Sequence, residues 1–522
     1  MNFPEHAPGS CNPSENSRRD YLVYLLLLSA HILLVWLIPF FPTQDGPSHL
    51  YNLLILQDLL NGGKTWGNFF THQVNVVPNL GFTIIGYPLL KIFTVLSVER
   101  IFLTIYVLLL GITVPALLKA FGKSPLPLGF LVFPAIFNFT LMMGFYSYNI
   151  AAALFLAAFC IAWAIRCKPV VIRAVCYNLA GLVVFFCHLI PFIFYLMSLY
   201  AMVVTEKDSL GKKCVNILKL SLVLSPSLSL LVWYFAQGNG GTPTAFPPTF
   251  SLSRFWELFI NLMIFSSAPF SRLQLLPAAI LMFVMLVGGY LALKDVLRRS
   301  KSGEITHSEK VLFLMVGALT IIYFVAPFRL GDGSYFNERF PWVIFLLSIP
   351  LLKNHPKASK RFTSLFLAGI AFAYFIFNSL VLWGQSSQVA SFVKGIDAGC
   401  SRGDLVMSYK RVDSCGWAKV DVLFHAASYY GIFRECIDIG NYETAVPFFP
   451  VRFKKDLPPL PSQDQVSYEP EKIDFAQYPS IDFILGWQID PKGRDRLMGE
   501  FDMIYSQENL TIWRRKFCYL RP

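Results

Sequence analysis

Residues 18–52 read RRDYLVYLLLLSAHILLVWLIPFFPTQDGPSHLYN, and the reading of this stretch decides the fold. Tyr21 to Phe41 is an apolar run of about 21 residues, long enough to cross a bilayer. Arg18 and Arg19 stand before it, which puts the N-terminus inside. No small-residue cleavage site follows, so the run reads as a retained anchor rather than a signal peptide. The chain then emerges on the outer side at TQDGPSHLYN.

The rest of the chain repeats this pattern. Of its 522 residues 55% are hydrophobic, 16% aromatic and only 15% charged. A soluble domain carries about a quarter charged residues, so an ordinary cytosolic protein and a disordered chain are both excluded. The formal charge of +12 does not indicate nucleic acid, because the Lys and Arg lie in short runs between apolar stretches, where membrane topology places them. The ten cysteines show no CxxC and no Cys/His metal spacing.

Further apolar segments lie at 80–97, 101–120, 126–142, 147–165, 172–187, 190–204, 217–235, 275–293, 311–328, 339–352 and 362–383. Counting all of them as spans puts Arg166, Lys168 and Arg173 outside, and Lys207, Lys212 and Lys213 with them, against the charge rule. Segment 80–97 is short and contains Pro88 and Lys91; laid along the membrane surface, it restores the charge bias in every loop. Phe255 to Phe265, after the Gly/Pro-rich loop QGNGGTPTAFPP, reads as a second interfacial helix.

The expected fold is therefore a polytopic α-helical membrane protein with about 11 spans and in-plane helices in the first outer loop. Residues 1–20 are a cytoplasmic tail, 21–384 the membrane domain with its first outer loop at 42–100, and 385–522 a small α/β extracytoplasmic domain. That last assignment rests on short apolar runs (DLVMSY, SIDFILGW, FDMIYS, LTIWRR) alternating with helix-like stretches near 386–397, 420–433 and 491–499. Cys400, Cys415, Cys436 and Cys518 can form two bridges there in an oxidising compartment, with the pairing open.

Asp45 leads the candidates for chemistry. A carboxylate held at the membrane surface accepts a proton from an incoming hydroxyl, and Gly46 and Pro47 fix the turn that presents it. The same residues also make a good helix start, so capping is the competing role. His49, one turn on, orients a ligand or a metal, or is simply an amphipathic side chain.

Arg100 in LSVERIF and Arg339 in GDGSYFNERFPW stand at outer ends of spans, where a planar set of donors matches phosphate oxygens. Glu99 and Glu338 precede them, and surface ion pairs are the alternative. His188, between VVFFCH and LIPFIFYL, falls at an outer turn, and Asp332, Tyr335 and Glu338 join the same side as candidate cavity-lining residues. No metal ligand set is evident, although a divalent ion stays open.

This arrangement resembles the glycosyltransferase C fold, the membrane sugar transferases that use polyprenyl-phosphate-linked donors. The resemblance rests on an acidic residue just after the first span, a long first outer loop with in-plane helices closed by Arg100, and an outer domain after the last span. The hairpin FNFTLMMGFYSYNI and the paired short spans around FCHLIP are similar too.

The resemblance implies that Asp45 is the base on the acceptor, that Arg100 and Arg339 hold the donor phosphate, and that the sugar is transferred with inversion. The implied partners are a polyprenyl-phosphate-linked sugar, a glycan, lipid or protein acceptor, and the bilayer. Many members carry a second adjacent acidic residue where this chain has Gln44-Asp45-Gly46, and no WWDYG-type signature is present. A bacterial inner membrane is the expected location. The competing readings are a non-catalytic membrane scaffold and a transporter, the latter disfavoured because the span centres hold almost no ionisable residues and no repeat is seen.

Overall fold

A computed structural model describes residues 15–73, 77–236, 252–264, 275–300, 304–330, 333–353, 359–410 and 420–516. Asp332, Cys415, Cys518 and the QGNGGTPTAFPP loop lie outside the described residues.

Among the described residues seven helices are long and apolar enough to cross a membrane, beginning with the Glu15–Leu37 helix. An eighth is counted if Leu210–Val223 and Ser225–Ala236, bent by 72°, form one span. Pro226 explains the bend, because it has no N–H to continue the first helix and its ring crowds the preceding turn.

These eight correspond to eight of the eleven expected spans; the other three are shorter. Segment 126–142 is broken into Leu128–Val132, Phe133–Ile136 and Phe139–Met142. Asn138 starts the last piece, its side chain accepting from Leu141 N at 3.0 Å. Leu189–Val204 has 16 residues. Segment 339–352 is the Pro341–Ser348 helix followed by a 3₁₀ turn carrying Pro350.

Trp342, Val343, Leu346 and Leu347 are fully buried against other helices, so their apolar character serves the protein core.

The loop after the first helix carries the Gly46–Leu60 helix and the ten-residue Gly81–Leu90 helix, which is too short to span and ends beside Lys91. Val95–Ala120 begins six residues earlier than expected, which draws Glu99 and Arg100 into a helix.

At the other end, Lys360–Val393 runs for 34 residues, about 51 Å at 1.5 Å per residue, far more than a bilayer needs. It reaches a mixed five-stranded sheet of order β3-β2-β5-β7-β6. The strands are β2 (Leu405–Lys410), β3 (Ile437–Asp438), β5 (Phe483–Trp487), β6 (Phe501–Gln507) and β7 (Leu510–Arg515). They fall on the four apolar runs read in the sequence plus one short addition.

Several contacts fasten this sheet region onto the loop that follows the first helix. β1 (Phe70–His72) pairs antiparallel with β4 (Val451–Phe453). One face of the Gly46–Leu60 helix also packs on the 428–445 segment: Asn52 and Asn441 exchange side-chain hydrogen bonds at 2.8 and 2.9 Å, Ser48 adds one at 3.2 Å, and Tyr51 donates to Cys436 O at 2.7 Å. These buried amides are satisfied only when the two regions are docked.

Cys400 and Cys436 form a disulfide, which resolves part of the open pairing. The bridge closes a 36-residue separation, so loop entropy alone makes it worth about 4 kcal/mol. A Cys400→Ser variant is expected to melt several degrees lower than the oxidised protein and to equal the reduced wild type; identical melting of oxidised and reduced protein would contradict this.

Candidate active site

Asp45 stands immediately before the Gly46–Leu60 helix, yet its side chain makes no capping hydrogen bond. The carboxylate is instead turned into a buried polar cluster, 6% exposed at the residue level. The capping role therefore falls away, and the turn has another purpose.

That purpose is visible in what holds the turn. Gln44 N and Asp45 N donate to Met142 O and Met143 O at 3.0 and 3.2 Å, so the turn is pinned to the 139–146 hairpin. Gly144 has φ +88 and lies so close that a Cβ there would sit 2.8 Å from Asp45 Cβ and N. A Cβ on Gly46 would come within 2.7 Å of Tyr146 Oη. Tyr146 in turn donates to buried Glu99 at 2.6 Å and pairs with Thr43 at 2.8 Å. Both glycines are thus required by space, and Gly144 by backbone conformation as well.

Gly144→Ala is accordingly expected to displace Asp45 and lower any activity at least tenfold, with membrane insertion unchanged. An active Gly144→Ala protein would show that this packing does not matter.

Around the carboxylate the chain assembles groups from distant segments. Tyr442 donates to Asp45 Oδ2 at 3.4 Å, and Gln44 Nε2 to Oδ1 at 3.3 Å. His425 Nε2 lies 3.6 Å from Oδ1, and its ring stacks on Tyr442 at 4.6 Å. His49 places Nδ1 2.6 Å from Glu443 and Nε2 2.9 Å from Gly144 O. Arg339 lies within electrostatic reach of Asp45 and Tyr442.

The electrostatics follow from burial. Desolvation pushes the Asp45 carboxyl up to about 7, although His49, Gln44 and Tyr442 favour its ionised form. Desolvation, with Lys410 and His49 adding repulsion, pulls His425 down to about 3, so it is a neutral imidazole. A carboxyl poised near neutrality is suited to take a proton at physiological pH.

Arg339 is held between rings, its guanidinium 4.7 Å from the centre of Phe145 and 5.8 Å from that of Tyr148. Tyr148 also donates to the Arg339 carbonyl. The Nε of Arg339 is buried and meets no acceptor among the described residues. Such a donor is costly unless a ligand oxygen satisfies it. Its neighbour Glu338 accepts from Asn261 at 3.4 Å.

The other candidates divide. Tyr335 packs near Phe145 and Phe139 and is within electrostatic reach of Asp45. His188 accepts from Ile190 N at 3.2 Å and sets its ring edge on Tyr148 at 5.3 Å; burial, with the charge of Arg339 nearby, holds it neutral. Arg100 is elsewhere: its guanidinium donates to Ile38 O and Pro39 O at 3.3 and 3.0 Å, closing the end of the first helix. Among the described residues no group of three or more His, Cys, Asp or Glu is arranged to hold a metal ion.

His425, Tyr442 and Glu443 were not singled out from the sequence. They sit in FHAASYY and NYETAV, which carry no local motif, and only the docking of the sheet region brings them to Asp45. A cleft of about 240 Å³, lined by Leu56, Leu60, Ile84, Tyr87 and Pro450, shares Phe449 with the cluster. The Phe449 ring lies 5.9 Å from that of His49 and 5.8 Å from that of Tyr442.

No family model and no curated protein matches the chain. Among solved structures, ArnT from Cupriavidus metallidurans in the apo state aligns over 94% of this chain and 98% of its own, with a TM-score of 0.52 at 11% identity. ArnT from the same organism bound to undecaprenyl phosphate aligns over 94% and 97%, with a TM-score of 0.46 at 11% identity. At such identity the likeness is one of fold. The chain is an integral membrane protein that shares the fold of apo ArnT.

Proposed function

We propose that the protein is a membrane glycosyltransferase that moves a sugar from a polyprenyl-phosphate carrier to an acceptor hydroxyl at the extracytoplasmic face. The observation that carries this reading is the convergence of a near-neutral buried carboxylate, Asp45, with a buried arginine, Arg339, that has an unfilled donor. A base and a phosphate-holding cation are the two groups such a transfer needs on opposite sides of the reacting carbon.

In this reading Asp45 takes the acceptor proton as the acceptor oxygen bonds to the anomeric carbon. The bond from that carbon to the phosphate oxygen breaks on the opposite face, so the sugar inverts. The polyprenyl phosphate leaves carrying the bond's electron pair, and Arg339 neutralises the charge that develops. Tyr442 and Gln44 orient the carboxylate. Arg100, already committed to two carbonyls, has no part in this scheme.

Several features support the direction and the lipid character of the substrate. The Cys400–Cys436 bridge suits an oxidising compartment, which agrees with the sheet region lying outside a bacterial inner membrane and Arg18 and Arg19 inside. The apolar cleft beside Phe449 opens among the in-plane helices, where a hydrocarbon chain leaving the bilayer would find cover.

The test is phosphate-dependent binding. Purified protein in nanodiscs should be stabilised against heat by polyprenyl phosphate but not by the matching polyprenol, and Arg339→Ala should lose the difference. Equal effects of the two lipids would remove the phosphate site.

A further inference from the structure

His49 is the one group of the cluster whose two polar atoms both face acceptors. Nδ1 meets the Glu443 carboxylate at 2.6 Å, and Nε2 meets the Gly144 carbonyl at 2.9 Å. A carbonyl cannot donate, so Nε2 carries a proton. The short contact to a carboxylate then calls for a second proton between Nδ1 and Glu443. The pair is shielded from water, the side chains being 11% and 3% exposed.

We infer that His49 is a fixed imidazolium, clamped by Glu443 and Gly144, that favours the ionised form of the adjacent Asp45 against the cost of its burial and so acts as a positioning residue for the base. This deepens the transferase reading and rests on it. The charges around it favour the assignment, because an imidazolium at His49 faces the buried carboxylates of Asp45, Glu443 and Glu99, with Arg339 near the first and Arg452 near the second.

Every element packed on His49 contributes to its surroundings. Its own segment brings Asp45, and Val95–Ala120 brings Glu99, which feels the His49 charge. The Tyr146–Ile165 helix brings the Tyr146 ring at 5.6 Å. The sheet region brings Glu443, Tyr442 and His425, the last held neutral by burial, with Lys410 and His49 adding repulsion. Burial pulls the His49 pKa down, but Glu443 and Asp45 together lift it above the ordinary histidine value. Of the anionic groups, only Glu443 touches the ring directly.

The clamp also explains why a catalytic turn in the first outer loop needs the C-terminal region at all. Gly144 sets the backbone on one side of His49, and Glu443 supplies the charge on the other. The Ser48–Asn52–Asn441 contacts fasten the regions independently, so the pair can be altered without undocking them.

The experiment uses the full chain with ¹⁵N-labelled histidine in nanodiscs at pH 8, above the ordinary histidine range of about 6.5. Wild type is expected to show one imidazole with both nitrogens protonated, absent in His49→Gln. In Glu443→Gln that ring should titrate in the ordinary range. A neutral His49 at pH 8 in wild type would overturn the inference, and this readout does not depend on turnover. With turnover measured on polyprenyl-phosphate sugar, His49→Gln should move the acid limb of the pH–rate profile upward by about one unit, a tenfold loss below the limb. An unmoved limb would also overturn it, whereas a wild type without transfer, but with a protonated His49, would count against the transferase reading alone.

Discussion

Asp45→Asn is expected to lower sugar transfer by about 10³-fold or more and at the same time to make the protein more stable at neutral and alkaline pH. The activity loss follows from removing the only carboxylate the proposed scheme places on the acceptor proton. The stability gain follows from burial. The folded carboxyl is raised from 3.8 to about 7, so the unfolded chain ionises first and ionisation opposes folding.

Asp45's favourable contribution is complete below the ordinary carboxyl range and is lost as the pH rises towards 7. Asparagine removes that loss, so its advantage grows between pH 4 and pH 7 and then levels off, at up to about 4 kcal/mol by the pKa difference. No cap is sacrificed, because the Asp45 side chain makes no capping hydrogen bond. Thermal unfolding of both proteins between pH 5 and pH 8 checks the sign. A less stable Asn variant at pH 8 would mean that the carboxylate is structural.

The second large effect belongs to Arg339. Arg339→Ala is expected to raise the donor KM at least tenfold and lower kcat by about 10²-fold, because the phosphate charge grows as the sugar departs. The acceptor KM should hardly change. Arg339→Lys restores the charge but not the planar donor set or the stacking on Phe145 and Tyr148, so it should recover only part of the loss. Donor kinetics that ignore both substitutions would remove arginine from the mechanism, whereas equal losses for donor and acceptor would indicate a general defect.

How much of this could be read from residues alone depended on whether the signal was local. Asp45 was legible because its span, its turn and its helix start are contiguous in sequence. The strands β2, β5, β6 and β7 were legible because their apolar runs are short and bounded. The breaks within 126–142 and 339–352 were not, since a helix buried in protein and a helix facing lipid have the same apolar composition.

The arginines show the limit most clearly. Arg100 and Arg339 look alike in sequence, each after a glutamate at the start of an apolar run. The structure spends Arg100 on two carbonyls and leaves an Arg339 donor open. His425, Tyr442 and Glu443 lie some 380 residues or more along the chain from Asp45, and no spacing rule joins them to it. The pairing of β1 with β4 and the contacts of Ser48, Tyr51 and Asn52 with the sheet region put them in place.

The account's central claim is tested most directly by turnover of the carrier lipid. Purified wild-type and Asp45→Asn proteins, in bilayers containing polyprenyl-phosphate sugars and a membrane extract as acceptor, should differ in the release of free polyprenyl phosphate. Release by wild type, with sugar appearing on an acceptor and neither event in the variant, is the expected result. Release that is equal in both proteins, or absent from both across a panel of sugars, would contradict the assignment of Asp45 as the base of a glycosyltransferase.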